Sequence, residues 1–176
     1  EEEFKNSKLI IAKIQNLVSN NEDKAVQLKS PSERYHEFLQ KNNLNAHYVL
    51  ETHAHADHLT AAQYLKEKLP KIKTAIHENI KLVQETFKGV FNFGNEFDTS
   101  GKAFDVLLKD NEIIKAGTVK IHVIHTPGHT PACVSYHIDD KLLFTGDAIF
   151  IPDYGTGRCD FPKGSAEDLY NSVHNK

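Results

Sequence analysis

Three imidazoles and a carboxylate fall within the six residues His53-Ala54-His55-Ala56-Asp57-His58, a density of metal donors that folding alone has no use for. On an extended segment side chains alternate between faces, and residues two apart repeat every ~6.6 Å. His53, His55 and Asp57 therefore point one way. Neutral imidazoles and carboxylates suit zinc, iron or manganese, and gathering them without a cation would concentrate buried polar groups in need of partners. Two later segments have the same character. Thr126-Pro127-Gly128-His129 carries proline and glycine at the central positions of a type II turn, which holds His129 just beyond a strand closed by His125. Phe144-Thr145-Gly146-Asp147 ends another strand on a glycine and a carboxylate. Alone, each would be an exposed polar loop or a capped turn. Together the three predict one metal centre assembled from loops at strand ends.

These donors need elements to position them. A strand at Ala46–Thr52 delivers the histidine cluster at its C-terminal end, and Asp57 or His58 opens a helix whose stripe Ala61, Ala62, Leu65, Leu69 is terminated by Pro70. Such a βα junction is where α/β proteins place their chemistry. Upstream, Ser30-Pro31-Ser32-Glu33 has capping-box spacing with proline at the first helical position, so a helix runs to about Asn42 and buries Tyr35, Phe38 and Leu39. Ile10–Ser19 and Lys24–Lys29 read as strands around the polar turn Asn20–Asp23. Downstream come a short strand at Lys73–Ile76, a helix at Glu78–Phe87, and a loop rich in Phe, Gly and Asn from Lys88 to Lys102 that would shape a substrate rim. Further strands are expected around Ile113-Ile114, at Val119–His125, at Ala132–Ile138, and at Lys141–Thr145 after the Asp139-Asp140 turn. Ser165-Ala166-Glu167-Asp168 caps a last helix carrying Leu169 and Val173. The pattern is that of an α/β layered domain.

With 176 residues, a net charge of -3 and 39% apolar residues, the chain suits one globular domain spanning 1–176. The slightly acidic balance and scattered lysines lack the footprint of a nucleic-acid binder. There is no apolar run of the ~20 residues that span a bilayer, and Glu1-Glu2-Glu3 is the opposite of a signal peptide's opening. A soluble intracellular protein is expected, cytoplasmic or in the mitochondrial matrix, with small molecules rather than nucleic acid or membrane as partners. Cys133 and Cys159 make neither a disulfide framework nor a C-x-x-C thiolate site and should stay reduced. Methionine is absent even from position 1, so a piece of a longer chain is expected.

The His53–His58 cluster, Thr126-Pro127-Gly128-His129-Thr130 and Thr145-Gly146-Asp147 resemble, in order, the successive metal motifs of the metallo-β-lactamase superfamily. The resemblance covers most of the chain. It implies an αββα sandwich with the metal site along the sheet edges. It also implies that the chain lacks its C-terminal portion, because Lys176 precedes the Gly-His-Asp motif and last strands of family members. Gly155-Thr156-Gly157-Arg158-Cys159-Asp160-Phe161, leading to Gly164 and Leu169-Tyr170, resembles the Gly-Arg-x-Asp-Phe stretch of persulfide dioxygenases rather than the Gly-Arg-Phe-Phe-Glu stretch of glyoxalase II.

That branch implies a single Fe(II) held by His53, His129 and Asp147, a facial triad that leaves about three octahedral positions open. The reaction it implies is oxidation by O2 of glutathione persulfide, or a related low-molecular-weight persulfide, to sulfite and thiol. His55, Asp57 and His58 would then lie around the ligands, orienting them and relaying protons. Arg158 is the candidate for substrate charge, its planar fork suiting the carboxylates of glutathione, with a structural pair to Asp160 as the alternative. Tyr154 lines the pocket by position. A glyoxalase II-like thioester hydrolase would instead hold two Zn(II): His53, His55 and His129 on one, Asp57, His58 and a further C-terminal histidine on the other, and Asp147 bridging. The alternative of another class is a non-catalytic metal-binding domain. A homodimer is left open.

Overall fold

The computed structural model of the chain describes residues 31–54 and 60–176. The strands expected at Ile10–Ser19 and Lys24–Lys29, and the donors His55, Asp57 and His58, lie outside the described residues. Within them the order is α1 (Pro31–Lys41), β1 (Tyr48–Leu50), α2 (Ala62–Lys68), β2 (Lys73–His77), α3 (Ile80–Val90), β3 (Val106–Leu108), β4 (Ile113–Ala116), β5 (Val119–His125), β6 (Val134–Ile138), β7 (Leu142–Phe144) and α4 (Ala166–Asn175).

The strands form two sheets. β1, β2 and β3 pair parallel in that order, and β4, β5, β6 and β7 pair as an antiparallel meander. Parallel strands are normally covered on both faces, and Thr74 to His77 of β2 are all buried. β5 alternates as a strand with one core face should: Val119, Ile121 and Val123 are buried and Lys120 is exposed. Leu50, Ala75 and Leu108 of the first sheet meet Ile114, Ile121, Val123, Val134, Tyr136 and Ile138 of the second in one core cluster. The outer face of the first sheet takes the helices: Val49 packs with Ala61, Ala62 and Leu65 of the α2 segment, and Ile76 with Ile80 and Val83 of α3. The layered α/β sandwich expected from the sequence is present.

Several elements depart in detail from the sequence reading. On α1, Leu39 is buried but Phe38 is 55% exposed, because neighbouring helical positions point ~100° apart and only one can face inward. α2 begins at Ala62, where Thr60 Oγ1 accepts the Ala62 N–H at 3.1 Å and donates to the Glu51 carboxylate. α3 extends three residues beyond Phe87 to Val90, shortening the expected Lys88–Lys102 loop. β3 had no counterpart in the sequence reading, being only three residues long and defined by pairing with β2. Asp105 fastens the approach to β3: it accepts from Thr74 N and Oγ1 at 2.8 and 2.9 Å and lies 2.8 Å from Lys66 Nζ. These donors hold its carboxyl down at about 2. No helix among the described residues is long and apolar enough to cross a membrane.

Candidate metal centre

The first donor leaves the parallel sheet at the end of β1. Glu51 N–H still bonds Ala75 C=O at 2.9 Å, after which the chain turns toward the second sheet, where Val134 N–H reaches Thr52 C=O at 2.9 Å. His53 follows, 4% exposed, with its Nδ1 3.1 Å from Thr52 Oγ1.

His129 sits in the connection from β5 to β6. Thr126 N–H donates to Cys133 C=O at 2.9 Å and closes the loop at its base. The expected type II turn is instead a bend: Gly128 has φ +139°, well beyond the ~+80° of that turn. The reason is the packing of α4. A Cβ at Gly128 would lie 2.4 Å from the Leu169 backbone nitrogen, Ser165 N–H bonds Gly128 C=O at 2.8 Å, and Ser172 Oγ bonds Pro127 C=O at 2.8 Å. The capping reading of α4 holds, since Ser165 Oγ accepts from Asp168 N–H at 3.1 Å. His129 Nδ1 lies 2.6 Å from the Arg158 carbonyl oxygen. A carbonyl only accepts, so Nδ1 carries the proton and Nε2 is the basic nitrogen.

Asp147 comes from the turn after β7. Gly146 has φ +56°, and a Cβ there would stand 2.8 Å from Thr52 Oγ1. Gly157 N–H donates to Asp147 C=O at 2.8 Å, and a Cβ on Gly157 would meet that oxygen at 2.4 Å and His129 Nδ1 at 3.0 Å. Close approach therefore requires glycine at both places.

The three side chains converge. His53 Nε2 and His129 Nε2 lie 3.7 and 3.6 Å from Asp147 Oδ2, and one donor atom from each residue falls within 4.8 Å of the other two. The imidazole rings stand nearly perpendicular, 87° apart, with centroids at 5.0 Å. Two donors on a tetrahedral ion with ~2.1 Å bonds are ~3.4 Å apart, so the spacing suits a first-row divalent cation. The imidazole side chains are 1% and 4% exposed and Asp147 17%, leaving the carboxylate side as the open one. Two neutral nitrogens and one anionic oxygen, the imidazoles backed by hydrogen bonds at Nδ1, are a donor set for zinc or iron.

Of the other sequence candidates, Arg158 is brought beside the donors by its backbone, while its side chain extends outward. Its Nε lies 3.6 Å from Asp160 Oδ1, and the guanidinium sits 4.5 Å from the Phe161 ring centroid, that ring being 6.1 Å from His129. Tyr154 stands 74% exposed in the turn after Ile151. His125 does not join the donors: it stacks on His77 at 4.2 Å and its Nε2 lies 2.9 Å from Pro131 O. Cys133 is buried with Thr130 N–H on its sulfur at 3.3 Å, and burial with Asp160 alongside pushes the Cys159 thiol up, which disfavours its thiolate. Sequence reasoning did not single out Thr52, Gly157 and the Arg158 carbonyl as holders of the donors. The only signal was the paired glycines of Gly155-Thr156-Gly157.

This fold and donor set define a metal-binding α/β sandwich, and residues 28–176 match the model described as the metallo-beta-lactamase superfamily; the chain belongs to that family. Among its relatives, the protein named Glyoxylase B2 of Dictyostelium discoideum is 52% identical over 136 residues, covering 77% of this chain and 47% of the relative. The mitochondrial persulfide dioxygenase ETHE1 of Homo sapiens is 33% identical over 141 residues, covering 80% of this chain and 47% of the relative. The crystal structure of ETHE1 from Myxococcus xanthus superposes with a TM-score of 0.64 at 28% identity, over 80% of this chain and 52% of that one. The chain thus spans about half the length of the curated relatives it matches.

Proposed function

We propose that the chain is part of a mononuclear non-haem iron persulfide dioxygenase, which oxidises glutathione persulfide or a related low-molecular-weight persulfide with O2 to sulfite and thiol. The observation that carries this reading is the compact two-histidine, one-carboxylate set of His53, His129 and Asp147. A bound Fe(II) supplies one-electron chemistry toward oxygen and Lewis acidity toward sulfur. The chain's own residues do the rest. His53 and His129 hold Nε2 toward a common point, with Thr52 Oγ1 and the Arg158 carbonyl fixing the rings from behind. Asp147 offsets part of the cation's charge. Arg158 exchanges its exposed and therefore weak pair with Asp160 for a substrate carboxylate, with Phe161 as an apolar floor and Tyr154 at the rim. His55, Asp57 and His58 orient the ligands and relay protons. Small thiols, persulfides and O2 are the partners.

A second reading, a dizinc thioester hydrolase, is favoured by the 52% identity to the protein named Glyoxylase B2. Metal analysis combined with oxygen uptake on glutathione persulfide separates the two. About one iron per chain with oxygen consumption is expected; about two zinc with thioester hydrolysis and no oxygen uptake would replace the dioxygenase reading. Bound metal without turnover of either substrate would make this a non-catalytic metal-binding domain.

A further inference from the structure

His53 hangs from the parallel sheet, whereas His129 and Asp147 hang from the antiparallel one. The spacing between donors is therefore only as fixed as the spacing between sheets. One side chain spans that gap at the right place. Tyr136, 0% exposed on β6, donates its phenol hydroxyl to Glu51 C=O at 2.8 Å, two residues before His53. Its own backbone position pairs with Phe144, the last residue of β7, three residues before Asp147. Two residues earlier on β6, Val134 pairs with His125 at the base of the His129 loop and sends its N–H to Thr52 C=O. β6 thus touches the roots of all three donor segments.

The Tyr136 side chain belongs to a core cluster whose other buried members are all aliphatic, where phenylalanine would fill nearly the same volume with no polar atom to satisfy. A buried hydroxyl is costly unless bonded, and the group it bonds is the carbonyl leading into His53. We infer that Tyr136 is a positioning residue for the metal donors: its hydroxyl sets the distance between His53 and the His129–Asp147 pair. This rests on reading those three residues as metal ligands.

The test compares wild type, Tyr136→Phe and Ile138→Val, the last loosening the same strand by one methyl without touching the crossing. Cobalt(II) affinity is measured by chelator competition, together with the visible cobalt absorption band and the melting temperature of the metal-free protein. Tyr136→Phe should weaken cobalt binding ~10-fold and shift the cobalt band, while Ile138→Val leaves both at wild-type values despite a lowered melting temperature. Wild-type affinity and band in Tyr136→Phe would overturn the inference while leaving the metal reading intact. A wild-type protein that binds no cobalt would overturn the metal reading, and the inference with it. If Tyr136→Phe does not fold, the comparison is repeated in trimethylamine N-oxide, which favours compact states. Failure to fold there as well would make the hydroxyl a fold determinant and overturn its positioning role.

Discussion

The His77–His125 pair makes acid stability calculable. His77 is 3% exposed and stacks on His125 at 4.2 Å. Burial first, then the neighbouring His125, lower its pKa from 6.5 to about 4, against the opposing pull of Glu78 and Asp110. The unfolded chain therefore binds a proton below pH ~6.5 that the folded chain refuses until pH ~4, so stability is full above 6.5 and falls as pH drops through that window. At 1.36 kcal/mol per pH unit the whole effect is ~3.4 kcal/mol, and ~2.5 kcal/mol of it is lost by pH ~4.5. Because other carboxylates and imidazoles also titrate, the readout is a difference. Urea unfolding of metal-free wild type and His77→Asn is measured at pH ~7.5 and ~4.5. Asparagine keeps an acceptor for the Asn79 N–H that His77 Nδ1 now takes at 3.3 Å, so the fold survives without the titrating ring. Wild type should lose ~2.5 kcal/mol more than the variant between the two pH values. Equal losses in both proteins would refute the assignment of this window to His77.

Three further outcomes follow from the centre. His129→Ala should abolish metal binding while the circular dichroism of a folded α/β protein persists; full metal occupancy in the variant would remove His129 from the ligand set. Gly157→Ala would put a methyl carbon 2.4 Å from Asp147 C=O, so the loop must retreat. Metal affinity, read by chelator competition, should fall at least ~10-fold with ~1–3 kcal/mol lost from the fold, and a variant of wild-type affinity would show that the loop yields freely. Arg158→Ala, at an exposed site, should raise KM for a carboxylate-bearing persulfide ~10-fold with kcat little changed, as expected for loss of uniform binding; unchanged kinetics would leave Arg158 only its pair with Asp160.

What the sequence made legible follows the strength of local signals. β5 was read at its true bounds, Val119–His125, because seven residues alternate against one core, and α4 because Ser165 and Asp168 cap it through one hydrogen bond. The convergence of His53, His129 and Asp147 was legible because imidazole and carboxylate at strand ends have few other uses. β3 was not, since three residues carry no periodicity and the strand exists through its partner. Nor was the turn at Gly128, whose φ is dictated by Leu169, forty-one positions away in sequence. The holders of the donors were hidden for a related reason: Arg158 and Gly157 act through a backbone carbonyl oxygen and a backbone N–H, which nearly every residue possesses and no residue type announces.

That distinction bears on how the Gly155–Phe161 segment should be interpreted. Its backbone faces the metal donors, with Gly157 N–H on Asp147 C=O and the Arg158 carbonyl on His129 Nδ1, while the Arg158 and Asp160 side chains are 61% and 74% exposed. Any sequence able to trace this loop with glycine at 157 can hold His129 and Asp147 equally well. The side-chain identities that resemble persulfide dioxygenases therefore report on what approaches the centre, and carry little information about which ion occupies it. Iron and zinc would be distinguished by donor number and geometry, and the two readings differ in whether Asp57 and His58 bind a metal. Replacing both with alanine should leave one-metal binding and oxygen uptake measurable if the dioxygenase reading is right. It should remove half the bound zinc and most thioester hydrolysis if the dizinc reading is right, so this pair, rather than the Arg158 segment, decides between them.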